Sequence, residues 1–444
     1  MPELPRHLRL TGGDYFMHGQ DHAMRQAGLP GNICRVSLRL AQGLNVARLR
    51  QHIAASPLVD WLTRARVVRP LPLLAPVWRR EPDPTPALYE HTVKPGEGQG
   101  PGNLPPAVLE RDLLPTRGPG LVLDLVHSAD GTAQLVLSWN HTIMDARGAE
   151  FLLRHLSTDG AAPGAPTLQD LLNPEQRGWS LAEWWRKAKF ARGSIRWLHE
   201  SGRDPLFSLL PGQAPAQPCQ NPCRLLRFTA QETARLDDRC EALNASFRRS
   251  HFYLAAALWA LHRIAARRGN QDGAYLVPVP HDMRRHGACG PIFSNQLSVF
   301  FYRVEARVAA RLNDTIGELT RQMTDQIRDR IPQSCMAALD LFKPMPLDFY
   351  VRHLGGPSQG KFATMCFSDV GETCRGVKEI MGGRILEATH LVPTWRPPGL
   401  TVLFWRFRDQ QRILLSCVDD CLNRAEAEAL EADLRAALLE DTVL

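Results

Sequence analysis

Lysine is nearly missing from this chain of 444 residues. Six lysines stand against 47 arginines, and the basic residues exceed the acidic ones by a net +7. A pI near 9.0 would draw anionic partners in general. No run of five or six basic residues occurs, however, and no basic stretch is interleaved with aromatics, so nucleic-acid binding is not expected. Long hydrophobic runs are missing as well. The greasiest stretch, FYLAAALWAL at 252–261, is too short to span a bilayer and reads as a buried helix. The opening residues MPELPRHLRLTGGDYF contain no apolar leader segment. Ten cysteines are scattered; Cys219/Cys223 and Cys417/Cys421 are spaced CxxxC, with no second pair to close a zinc site. Buried thiols in a reducing, cytoplasmic setting are the expectation. The glycine-rich segment 93–106 fits neither a dinucleotide fingerprint nor a Walker loop.

What is present is a doubled plan. RVSLRLAQGLNVARLRQHIAAS (35–56) reads as an alternating strand, a turn and an amphipathic helix, and RLLRFTAQETARLDDRCEAL (224–243) repeats it. In the second copy Thr229 and Glu232 stand at capping-box spacing. Between the copies lies a Pro- and Gln-rich segment without helical periodicity. The expected organisation is therefore a lobe over 1–200, a linker over 201–223 and a second lobe over 224–444. The first lobe contains a hairpin over 120–141, turning at Ala129-Asp130-Gly131, followed by a core helix over 146–156. In the second lobe, 251–268, 313–330 and 423–440 read as helices, 274–285, 294–304 and 360–372 as strands running into turns, and 400–420 as a hairpin. Irregular alternation with several hairpins predicts α/β with mixed sheets rather than a doubly wound dinucleotide fold. The Trp- and Arg/Lys-rich stretch 179–200 could lie on a membrane surface; the preferred reading is a helix packed on its own domain with its basic residues outward.

The chemistry concentrates in NHTIMDARG, where a strand ends on His141 and Asp145 follows four residues later. A metal site would need a second histidine in a matching context, and none stands out. GPSQG at 356–360 places Ser358 in a GxSxG pattern, with Asp369 and His390 following in chain order. That pattern works only as a strained strand-to-helix elbow, whereas here a glycine-rich loop precedes it and an apolar strand follows. A neutral histidine in a cleft can instead act as a general base. Asp145 would then shape the loop through backbone donors or an arginine, and Gly148 would permit a tight turn. For HxxxD alone, a satisfied core histidine beside a helix cap is the plainer alternative.

The whole chain resembles the chloramphenicol-acetyltransferase-like superfamily, which includes condensation domains, polyketide-associated acyltransferases, wax-ester synthase/diacylglycerol acyltransferases and plant BAHD acyltransferases. Its motif HHxxxDG is matched with Asn140 in place of the first histidine, His141, Asp145, and Ala146-Arg147 in place of the immediate glycine. AASPLVDWLTRARV, VPVPHDMRR, FSNQLSVFF and FSDVG resemble further family segments in the family's order. The resemblance implies a pseudo-dimer of two α/β lobes around a central channel. It assigns His141 as the catalytic base, with Asp145 paired to Arg284 (Arg285 being the one-residue alternative). Asn140 and Gly148 would support the site, with Ser368 and Asn295 as oxyanion or channel residues. It implies no metal and no bound cofactor. Acyl-CoA or an acyl-phosphopantetheine carrier protein would be the co-substrate, with a small alcohol or amine as acceptor. The departures at Asn140 and Ala146-Arg147 also admit a binding module that has lost catalysis, and a side-chain plug between His141 and Ser368 would mark it.

Overall fold

Strand Ala133–Asn140 is buried along its whole length, and the first sheet grows outward from it. The computed structural model describes residues 6–441 except 73, 84, 94–100, 158–178, 204, 211–221, 271, 289 and 355–362. On one side Ala133–Asn140 pairs antiparallel with Leu121–His127, closing the expected hairpin; on the other it pairs with Ile33–Leu40. Gly131, with φ near +79°, makes the hairpin turn, and Asp130 accepts from the Thr132 amide and hydroxyl there. The side chains alternate, as a pleated strand requires. Leu135, Leu137 and Trp139 join a core beneath helices Val46–Ala55, Pro57–Arg64 and Ala146–Ser157. Val136, on the opposite face, joins a second core with Leu403, Trp405 and Leu414 of the other sheet.

That other sheet has the order Cys366–Glu372, Leu400–Phe407, Gln410–Cys417, Cys223–Arg227. The helix Arg249–Arg267 runs through the adjoining core, with twelve of its residues buried, alongside Leu312–Arg328 and Arg424–Leu439. The repeated strand-helix plan is borne out. Ile33–Leu40 leads to Val46–Ala55, capped by Asn45. Cys223–Arg227 leads to Ala230–Ala242, capped by Thr229 with Glu232 closing the box.

The expected division at 201–223 needs two amendments. Leu206, Phe207 and Leu209 pack into second-half cores rather than forming a free linker. Strand Gly383–Leu391 leaves the second half and pairs antiparallel with Ile33–Leu40 in the first-half sheet. The physical reason is the sheet edge: without it, the backbone groups of Ile33–Leu40 would stand unpaired on that side. The halves thus share both a sheet and an apolar core.

Helix Leu181–Ser201 forms as expected, capped by Ser180 and Glu183. It packs against helix Ile331–Phe342 through Ala191 and Ser194, the Ser194 amide donating to Ser334 Oγ at 2.8 Å. The basic residues Arg186, Lys189, Arg192 and Arg196 face outward as expected, and Trp184 and Trp185 face outward with them. No helix among the described residues is long and apolar enough to cross a membrane. All eight described cysteines are free, five of them buried.

Candidate active site

His141 follows the last residue of the central strand, and its loop is pinned from both halves of the chain. The His141 amide donates to Asn32 O at 2.8 Å, and the Ser294 amide to Ile143 O at 2.7 Å. Met144 and Ser294 form a parallel bridge. Ser294 has φ near +81°, a left-handed conformation that non-glycine residues adopt only when their surroundings impose it.

Asp145 holds this junction. Its Oδ1 accepts from the Gly148 amide at 2.8 Å, and its Oδ2 accepts from the Gln296 amide at 2.8 Å and from Arg284 at 2.9 Å. The ion pair is nearly dry, with side-chain exposures of 3% for Arg284 and 8% for Asp145. Arg284 also donates to Pro291 O and Asp282, while Arg285 takes no part in the pair. Arg147, in the position next to the replaced glycine, is exposed and lies 3.7 Å from Asp282. Gly148 serves differently from the expectation. It lies within the helix Ala146–Ser157 rather than in a tight turn, and a Cβ there would stand 2.3 Å from Ile292 O. The glycine permits that close approach between the halves.

Asn140 points away from the chemistry. Buried, it donates to Asp21 Oδ1 at 2.8 Å and Leu113 O at 3.0 Å, and accepts from the Thr142 amide at 3.0 Å.

Asn295 stands behind His141. Its Nδ2 donates to His141 O at 2.9 Å, Thr142 O at 3.2 Å and Asp14 Oδ1 at 3.0 Å, all of them acceptors. Its Oδ1 must therefore be the atom 3.0 Å from His141 Nδ1, and only an Nδ1–H can satisfy it. The neutral ring is thus held as the Nδ1–H tautomer, leaving the Nε2 lone pair as the acceptor. Burial lowers the His141 pKa below the ordinary imidazole value. A hydrogen bond from the ring to the backbone of His141 itself, the charge of Asp145 and the bond to Asn295 oppose that shift.

Asp14 was not foreseen as a site residue. Fully buried, it accepts from the Asn295 amide at 2.7 Å, from the Asn295 side chain, from the Thr11 amide at 2.9 Å and from Trp78 Nε1 at 3.4 Å. Burial raises its pKa and these donors counter the rise. The local signal is TGGD: Thr11 and Asp14 form a capping box on helix Gly12–Gln26. A Cβ on Gly13 would stand 2.9 Å from Asn295 O, so the glycine lets the helix start reach the site.

His141 and Ser368 line one cavity of about 690 Å³. Ser368 lies within strand Cys366–Glu372 opposite Leu403, rather than in a turn. The walls come from both halves and are mostly apolar, including Phe16, Trp139, Val299, Leu339, Phe367 and Leu403. His390 is a buried polar exception, its Nε2 2.7 Å from Thr373 Oγ1 and its pKa held down at about 4 by burial. Ser358 lies outside the described residues. Among the described residues no group of three or more His, Cys, Asp or Glu could hold a metal ion.

No family model matches the chain, and no curated protein matches it. Solved structures do, and they show its fold, which is that of condensation domains and of an O-acetyltransferase. The first condensation domain of the calcium-dependent antibiotic synthetase, bound to a substrate analogue, is similar at TM-score 0.70 and 15% identity, over 99% of this chain and 97% of that one. A variant of the starter condensation domain of rhizomide synthetase, in complex with C8-CoA and Leu-SNAC, is similar at TM-score 0.65 and 17% identity, over 98% and 93%. Trichothecene 15-O-acetyltransferase from Fusarium sporotrichioides is similar at TM-score 0.67 and 14% identity, over 98% and 94%. At these identities the likeness establishes the fold, which is the one the sequence resemblance implied.

Proposed function

We propose that this protein is an acyltransferase that moves an acyl group from a thioester, on coenzyme A or a carrier protein, to a hydroxyl or amine acceptor. The observation that carries the reading is that His141, its Nδ1 held 3.0 Å from Asn295 Oδ1, lines an apolar cavity. The cavity volume falls in the range of about 300–1,000 Å³ common to small-molecule sites. The side-chain plug expected of a binding module would separate His141 from Ser368, whereas both line one cavity. Among proteins of this fold, one is a trichothecene O-acetyltransferase and another was solved with an acyl-CoA and an aminoacyl thioester analogue.

Transfer is direct, since a thioester is already activated and no acyl-enzyme is needed. His141 Nε2 accepts the proton of the acceptor O–H or N–H as the acceptor oxygen or nitrogen attacks the thioester carbonyl. The tetrahedral oxyanion is stabilised by Ser368. Its collapse breaks the C–S bond, and the departing thiolate takes the proton back from Nε2. The products are an ester or amide and a free thiol, with His141 neutral again. Asp145, Arg284, Asn140 and Gly148 hold the loop in place, and Asn295 orients the base.

The test is thiol release from acyl-CoA thioesters of increasing chain length, and from acylated carrier protein, with mixed alcohols and amines as acceptors. His141→Ala is expected to lower acceptor-dependent release by about 10²–10⁴-fold. Release that survives the substitution, or no release from any donor, would overturn the proposal.

A further inference from the structure

Among the described residues, five of the ten exposed large apolar residues sit on one helix, Leu181–Ser201: Leu181, Trp184, Trp185, Phe190 and Ile195. Trp184 and Trp185 are 41% and 62% exposed and meet edge to face. At about 3.6 residues per turn, Leu181, Trp184, Trp185 and Ile195 fall on a single outward strip. Arg192 stands in line with it, Lys189 and Arg196 border it, and Arg186 follows around the helix. Arg186, Lys189, Arg192 and Arg196, joined by Arg330 from the start of the neighbouring helix, line a surface groove. Among the described residues no carboxylate pairs with any of these five cations. The inward strip, Ala191, Ser194 and Leu198, is the one that packs or faces the cavity. Ile195 belongs to both environments, being 48% exposed and also part of the catalytic cavity wall. The outward strip therefore passes Ala188 and Arg192 and ends at a residue of the cavity wall.

We propose that the outward face of Leu181–Ser201 docks on an anionic lipid surface, and that an apolar substrate passes from that surface over Ile195 into the cavity. Docking stands on this helix alone; substrate entry rests on the acyltransferase reading. Cations that outnumber the carboxylates Glu183 and Asp329 in the groove, beside exposed tryptophans, match anionic headgroups at the edge of the hydrocarbon layer. An apolar strip of this size has no stabilising reason to face water. A helix with charged residues on its outward face lies in the interface plane rather than across the bilayer.

The experiment is co-sedimentation of the full chain with vesicles of phosphatidylcholine alone and of equimolar phosphatidylcholine and phosphatidylglycerol, at low and high salt. Binding to the anionic vesicles that weakens with salt is expected. The set Arg186→Glu, Lys189→Glu, Arg192→Glu and Arg196→Glu should lower partitioning by at least several hundredfold, since each of the four cations is worth about fivefold. Trp184→Ala with Trp185→Ala should weaken binding at both salt concentrations. Both sets should leave turnover of a water-soluble acyl-CoA unchanged while slowing turnover of a vesicle-held substrate. A chain that ignores both vesicles, or whose binding survives the charge reversals, overturns the inference. Binding to an acidic carrier protein with no preference for anionic vesicles would make this a protein-docking face and overturn it too. If no acyl donor is turned over in solution, the acyltransferase proposal fails, while the sedimentation result still decides docking.

Discussion

Asn295→Ala separates a working base from a histidine that is merely buried. When Nε2 takes the acceptor's proton, the Nδ1–H···Oδ1 contact at 3.0 Å becomes a hydrogen bond from a charged donor. Such bonds contribute about 1.5–3 kcal/mol, so losing this one should slow the base-dependent step by roughly ten- to a hundredfold. The substitution also has a signed effect on pH dependence. Burial already places the His141 pKa below its ordinary value, and the Asn295 bond is one of the interactions holding it up. Removing that bond lowers the pKa further. The neutral, active ring then persists to lower pH, and the acid limb of the kcat profile moves down even as the plateau falls. Asp14 loses one side-chain donor but keeps the backbone amide of residue 295, so the stability cost should be about 1–3 kcal/mol. The assay is thiol release across pH, paired with denaturant unfolding to set a temperature at which the variant is folded. A plateau within about threefold of the parent, or a limb that moves to higher pH, would refute the tautomer argument.

Other substitutions report on the frame around the base. Arg284→Met strands a nearly dry carboxylate and should cost about 3 kcal/mol in urea unfolding, near the low end for such pairs because Asp145 keeps two backbone donors. Combined with Asp145→Asn it should cost less than the two single losses added, and simple additivity would argue against coupling. Gly148→Ala must push Ile292 O away from 2.3 Å and should cost about 1–3 kcal/mol, with activity falling as the halves separate; an unchanged melting curve would sink the close-approach argument. Acid should destabilise the fold. His18, His251 and His390 are each held down to about 4 by burial, so the unfolded chain takes their protons first as pH falls below about 6.5. Each should lose about 2 kcal/mol between pH 7 and 5. Asp14, Glu150 and Asp369, raised by burial, bind protons better when folded and offset part of that loss. Equal urea midpoints at pH 7 and 5 would show that the histidines are not protected.

The features readable from the chain were those whose causes lie within a few residues. The strand-helix units at 35–56 and 224–243, the hairpin ending at His141 and the capping box at Thr229 follow from period and turn chemistry, which are local. Arg284 was identifiable because it occupies a motif position, and its pairing with Asp145 is where that motif placed it. Contacts across long sequence separations that no motif marks were not readable. Asn295 was expected in the channel, yet it lies behind the base; its orientation depends on acceptors from residues 14, 141 and 142, which only packing brings together. Gly148 had the right identity for a different reason, because its neighbour is a carbonyl 144 residues further on. Strand Gly383–Leu391 crossed the expected boundary because a sheet edge takes whichever strand completes its hydrogen bonds. The outward turn of Trp184 and Trp185 was likewise hidden. An amphipathic pattern says that two faces exist, but the neighbouring helix Ile331–Phe342 chose the small-residue face and left the aromatic one to solvent.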